Sequence, residues 1–106
     1  MPTSARVVLV AVPSGGKARS MAESLVESRL AACVNVLPGV VSVYRWKGRV
    51  HRDAESLLVI KTTAAKFKPL ERWIRAHHPY ETPEVIGLAV AAGSTAYLSW
   101  LREQVR

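Results

Sequence analysis

A chain of 106 residues, 49% of them hydrophobic, supports one core but not two, and is too apolar for a disordered tail. Its formal charge is +7, from fifteen Lys and Arg against eight Asp and Glu, but the basic residues are spread along the chain and match no nucleic-acid-binding signature, so a solvated basic surface is expected. No apolar run approaches the roughly 20 residues of a membrane helix, the first residues lack a signal-peptide pattern, and one cysteine forms no internal disulfide, which suits a reducing cytosol.

Residues 5–12 read as a strand apolar on both faces, with Val7, Leu9 and Ala11 opposite Val8, Val10 and Val12. Pro13-Ser14-Gly15-Gly16 turns it into a helix over 17–32, where Ala18, Met21, Ala22, Leu25, Val26 and Leu30 share one stripe. A Ser-Gly-Gly turn ahead of a helix could hold an anion on its bare N–H groups, but it lacks the full glycine pattern of a phosphate loop and reads as a tight βα connection.

Residues 30–63 read as one long hairpin. Its first arm starts near Cys33, kinks at Pro38-Gly39, and then alternates Val41, Val43 and Arg45 against Val40, Ser42, Tyr44 and Trp46. Lys47-Gly48 is the turn, and the return arm ends in the apolar run Leu57-Leu58-Val59-Ile60. An arm of about fourteen residues at ~3.3 Å each reaches roughly 45 Å, against a diameter of roughly 35 Å for a domain of this size. Unless the kink folds it back, the far end of the hairpin meets another copy of the chain.

Thr62-Thr63 are candidate caps for a second helix that runs to His77, with Phe67, Leu70, Trp73, Ile74 and His77 on or near its buried stripe and Pro69 limiting its start. The prolines in His78-Pro79-Tyr80-Glu81-Thr82-Pro83 stop that helix. A strand over 85–92 follows, then a Gly93-Ser94 turn and cap, and a last helix over 96–105. The order β-α-β-β-α-β-α is the split βαβ, or ferredoxin-like, α+β pattern with an extra C-terminal helix, in one domain over 1–106. Two right-handed crossovers place the first two helices on one sheet face and leave the other bare. Strands apolar on both faces then call for self-association, in a closed ring or a face-to-face dimer.

His77 and His78 are consecutive, so on a helix they point about 100° apart and grip one ion together poorly, although one could ligate at a fraying helix end, with Glu55, Glu81 or Glu84 as oxygen donors. The alternative is that His77 packs at the end of the helix stripe while His78 caps the last carbonyls. Cys33 reads as a small buried hydrophobe. Tyr44, Trp46, Trp73, Tyr80, Tyr97 and Trp100 read as core or interface residues, and Lys61, Tyr80 and Glu55 are candidates to line a pocket. There is no G-x-S-x-G, no H-E-x-x-H and no clear acid–base carboxylate pair, so no enzyme is expected.

Several stretches together resemble the CutA family of divalent-cation-tolerance proteins: Leu30 to Cys33 through Leu37-Pro38-Gly39, Tyr44 and Trp46 with Gly48, Glu55, Lys61-Thr62-Thr63, His78-Pro79-Tyr80 with Thr82-Pro83-Glu84, and Tyr97 to Leu101. The resemblance implies a ferredoxin-like subunit in a tight homotrimer, similar in architecture to the PII signalling proteins, and a link to copper and other divalent cations without a defined reaction. It carries a metal site onto His77 and His78. The first-strand cysteine of some members is replaced here by Val10, which leaves an imidazole-plus-oxygen site suited to Cu(II) or Zn(II). Some eukaryotic members carry leader segments and this sequence shows none, which favours a bacterial cytoplasmic form; from apolar run length and charge spread, no membrane and no nucleic-acid partner are expected. A second reading is a PII-like sensor that binds a small anionic metabolite in inter-subunit clefts near Glu55, Lys61, Tyr80 and Glu84. A third is a structural trimer that serves as a platform for another protein.

Overall fold

Alternation sorts the first strand, and the sorting decides the layers. In a computed structural model describing residues 3–106, β1 (Ala5–Pro13) sends Val8, Val10 and Val12 to one face, all fully buried. Against them pack α1 (Lys17–Glu27), through Ala18, Met21 and Leu25, and α2 (Phe67–His77), through Leu70 and Ile74. The long arms are β2 (Cys33–Trp46) and β3 (Arg49–Thr63), and β3 adds Leu58 and Ile60 to the same core. With β4 (Ile86–Ala89) they form an antiparallel sheet in the order β2-β3-β1-β4, the order of the split βαβ pattern. The helix α3 (Thr95–Gln104) lies on the opposite face, at one end, where Leu101 and Val105 bury Ala5 and Ala32.

Three local expectations change. The first helix stops at Glu27 rather than 32, because Arg29 turns into the left-handed region (φ 61°) and lets the N–H groups of Leu30 and Ala31 close on the Leu25 carbonyl. That early stop frees Ala32 N–H to reach Lys61 O and start β2. Thr62 and Thr63 do not cap α2 with their side chains: the Thr62 hydroxyl donates instead to Leu30 O (2.7 Å), and a 3₁₀ turn over Ala64–Lys66 precedes the helix. Pro69 falls in the first turn of α2, where its missing N–H would have had no helical partner. The last strand spans Ile86–Ala89 rather than 85–92, its pairing with β1 ending at Leu9. Ser94 does cap α3, accepting from Tyr97 N–H at 3.1 Å.

The hairpin projects as its length implies. The described residues extend 44 Å along their long axis against 28 and 23 Å across it, and Val41 and Val43 on the outer arm are 70% and 61% exposed. Lys47 and Gly48 close a two-residue turn with positive φ at both, 50° and 79°, the geometry that matches strand twist. Below it, α3 covers one end of the second sheet face only. Leu37, Ile86 and Leu88 stay between 41% and 49% exposed there, beside half-buried Val7, Leu9 and Val59. An apolar strip of this kind is larger than the scattered apolar exposure usual on a lone chain.

Candidate functional site

The site begins with a slip in register. Leu37 pairs with Leu57, but the next pair is Val40 with Glu55, so the arm carrying Pro38 and Gly39 spends an extra residue. This bulge restores Val40, Ser42, Tyr44 and Trp46 to the sheet face of Glu55, which is also the face that Leu57 and Leu37 share. Without it, Val41 and Val43 would stand there instead. β1 ends at Pro13, opposite Glu55, so the hairpin beyond is a two-stranded ribbon whose cleft-side floor is Ser42, Tyr44 and Trp46.

The other wall is the connection over 78–85, pinned by His78. β1 carbonyls of odd-numbered residues point towards β4, as the Val90 N–H to Ala5 O bond shows, but β4 stops opposite Leu9. The orphaned Ala11 carbonyl accepts instead from His78 Nε2–H at 2.8 Å. Nδ1 of the same ring accepts from Tyr80 N–H at 3.1 Å, which fixes a neutral ring protonated on Nε2. His78 is thus a buried strut, and it delivers Tyr80 to the cleft. There the Tyr80 hydroxyl donates to Glu55 Oε2 at 2.8 Å. Burial first, and then the bond to Glu55, push the Tyr80 phenol well above its usual range. Burial and then the Glu55 charge also raise the Glu84 carboxyl. Opposite, the Tyr44 hydroxyl donates to Asp53, the main cause of its own raised phenol, and its ring stacks on His51. The cleft is open to solvent and has a volume of about 710 Å³.

The two adjacent histidines have exchanged the places expected of them. His77 is on the surface, stacked on Trp73 with ring centroids 4.0 Å apart, and its Nδ1–H donates to Trp73 O at 2.8 Å. It is His77 whose ring serves the helix's own carbonyl, and His78 that packs inward. Nε2 of His77 keeps a free lone pair. Among the described residues no three His, Cys, Asp or Glu side chains stand close enough to hold a metal ion.

Of the residues proposed for a cleft, Glu55, Tyr80 and Glu84 come together and Lys61 does not. Lys61 is six residues further along β3, roughly 20 Å away at strand spacing. Its ammonium group donates to Asn35 Oδ1 and sits 3.9 Å from Cys33 Sγ. Val10 faces the helix core and is fully buried. Among the lining residues not proposed for a cleft from sequence are Tyr44, Trp46 and Glu81. Alternation had already put Tyr44 and Trp46 on one face of the ribbon; what it lacked was the bulge that aligns that face with Glu55.

Residues 6–104 match the family model described as CutA1 divalent ion tolerance protein. The chain belongs to the CutA family. A divalent-cation tolerance protein CutA from Thermus thermophilus is 53% identical over 97 residues, covering 92% of this chain and 94% of its own. A chloroplastic CutA from Arabidopsis thaliana is 46% identical, and its match spans 94% of this chain but 55% of the plant protein. The solved structure of a divalent cation tolerance protein from Thermus thermophilus superposes with a TM-score of 0.93 at 50% identity, covering 96% of this chain and 99% of that one. That solved structure shares the α+β sheet-and-helix arrangement described above, and the family name describes tolerance to an ion rather than a reaction. No helix among the described residues is long and apolar enough to cross a membrane.

Proposed function

We propose that this chain is a non-enzymatic, cytoplasmic homotrimer that binds a divalent cation, Cu(II) or Zn(II), weakly at a subunit boundary. The observation that carries the reading is a half-built site on a half-covered subunit. His77 offers Nε2 as an imidazole donor at the surface, yet too few donors stand together in one chain to complete a coordination shell. The bare strip of Ile86, Leu88 and Leu37, on the sheet face away from α2, calls for a neighbouring copy, and a chain of the same assembly reaching the end of α2 would supply the missing oxygen or nitrogen ligands. His78 belongs to this site as the residue that fixes the chain after His77, since both of its ring nitrogens already hold hydrogen bonds. With Val10 in the core there is no soft ligand on the first strand, which favours Cu(II) or Zn(II) over Cu(I).

Dialysed protein titrated calorimetrically with Cu(II) and Zn(II), alongside its mass by light scattering, tests both halves. A trimer mass with uptake that His77→Ala abolishes is the expected result. Uptake unchanged in His77→Ala refutes the ligand, and a stable monomer at micromolar concentration refutes the boundary site.

A further inference from the structure

The helix layer carries its charge in two separate ridges. At about 100° of turn per residue, Lys68, Arg72 and Arg75 fall within about 60° of one another on α2, on the side away from Leu70 and Ile74. All three are exposed. Glu71 lies 3.8 Å from the Lys68 ammonium, whereas the Arg72 and Arg75 side chains have no ion pair or hydrogen bond among the described residues. The stripe does nothing for its own helix. Lys68 stands in the first turn of α2, where the dipole favours an anion and no acidic residue is present. Arg72 follows Lys68 by four residues and precedes Arg75 by three, so like charges are neighbours along the whole line and weaken the helix. Unpaired charges that oppose local stability at the outermost line of a helix point to a partner outside the chain.

The second ridge limits that partner. On the same sheet face, the outer line of α1 is Ser20, Glu23 and Glu27, all exposed. A broad polyanion lying across the layer would meet these carboxylates as well as the cations, but a narrow anionic segment along α2 would meet the cations alone.

We propose that the outer stripe of α2 docks an acidic polypeptide segment of another protein, whose carboxylates pair with Lys68, Arg72 and Arg75. The stripe is seven residues long from end to end, about 10.5 Å at helical rise, so a segment of about two helical turns matches it. A duplex nucleic acid is disfavoured, because Glu23 and Glu27 repel its width and three phosphate contacts leave non-specific binding weak. An anionic bilayer is disfavoured because the stripe has no apolar anchor: Trp73 is turned about 100° or more away and is stacked on His77. A second copy would bring Glu23 and Glu27, but also its own charge of +7, which opposes its approach. The stripe lies on the helix layer, on the opposite side of the sheet from the half-exposed Leu37, Ile86 and Leu88. His77 is turned about 160° from Arg75 around α2, so a metal held there leaves the stripe open.

The probe is a fluorescein-labelled peptide of about fifteen residues of Ala, Gln and Glu, with Glu at i, i+4 and i+7. The same peptide with Gln for every Glu is the neutral control. Fluorescence anisotropy against the protein in its solution form should show the acidic peptide bound at low salt and released in about 0.5 M NaCl, with no binding of the control. Lys68→Gln with Arg72→Gln should weaken binding about tenfold. This double variant should melt no lower than the wild type, because it removes a cation opposed by the helix dipole and a like-charge pair. Arg72→Gln alone, at a side chain without a partner, carries the test if the double variant melts lower. Arg102→Gln with Arg106→Gln removes the same charge from α3 and its end, across the sheet, and should bind as the wild type. So should His77→Ala, which separates failure of the metal ligand from failure of this stripe. No binding of the acidic peptide, wild-type affinity in the α2 variants, or an equal loss in the Arg102 and Arg106 variant overturns the proposal. Tighter binding of a duplex RNA or of anionic lipid vesicles than of the peptide overturns it as well.

Discussion

Replacing His78 by alanine should cost far more stability than replacing its neighbour. The His78 ring is 8% exposed and supplies both the donor to Ala11 O and the acceptor for Tyr80 N–H. A buried carbonyl left without a partner costs about 1–3 kcal/mol, and the second lost bond adds about 1 kcal/mol, giving roughly 2–4 kcal/mol in total. For a chain of this size, at about 4 °C per kcal/mol, the melting temperature should fall by about 8–16 °C. His77→Ala loses an exposed stack on Trp73 and a bond to its own helix, so a change below about 1 kcal/mol, or about 4 °C, is expected. Thermal melts of wild type and both variants, at one protein concentration and with a chelator present, make the comparison free of bound metal. Equal melting temperatures for the two variants would refute the strut, because two metal ligands with no other task would become equivalent once metal is removed.

If the bare sheet face is a contact between copies, Ile86→Glu, a charge placed where the native side chain is already half exposed, leaves the chain folded but lowers its mass in light scattering to that of a monomer; a mass equal to that of the wild type counts against the contact. Gly87→Ala puts a methyl group 2.9 Å from Phe67 Cε1 and 3.1 Å from Cδ1, so the ring must move away from the sheet. A loss of about 1–3 kcal/mol in urea unfolding is expected, and a neutral result would mean that Phe67 swings out freely. The Tyr80 phenol, raised by burial and by Glu55, should still be protonated when unfolded tyrosine is half ionised near pH 10. Above that pH the unfolded chain releases a proton that the folded chain keeps, so folded stability falls as pH rises through the alkaline range. Tyr44 and Tyr97 are raised too, so ultraviolet titration should show three late tyrosines in the wild type, of which the last to ionise is missing in Tyr80→Phe.

Much of this protein was legible from its pattern alone. Period-2 valines in β1, the stripe of Ala18, Met21 and Leu25, and the Lys47-Gly48 turn each report a local backbone choice, and together they dictate the order of the sheet. The excess of apolar strand surface also follows from counting faces. The site was only half visible, because its decisive features are non-local. The bulge shifts Tyr44 and Trp46 into line with Glu55 only through pairing across the hairpin, and a one-residue slip changes which face every later side chain occupies. In sequence, His77 reads as a packed ring and His78 as a cap, and the structure reverses the two. What separates them is an unpaired carbonyl on Ala11, created where β4 ends short of β1, and no local signal near residue 78 records that vacancy. Likewise Lys61 and Glu55 share one strand and one face, yet strand rise alone puts them in different places. Sequence fixes what each segment prefers to be; the distance and direction between segments emerge only when their hydrogen bonds must all be satisfied at once.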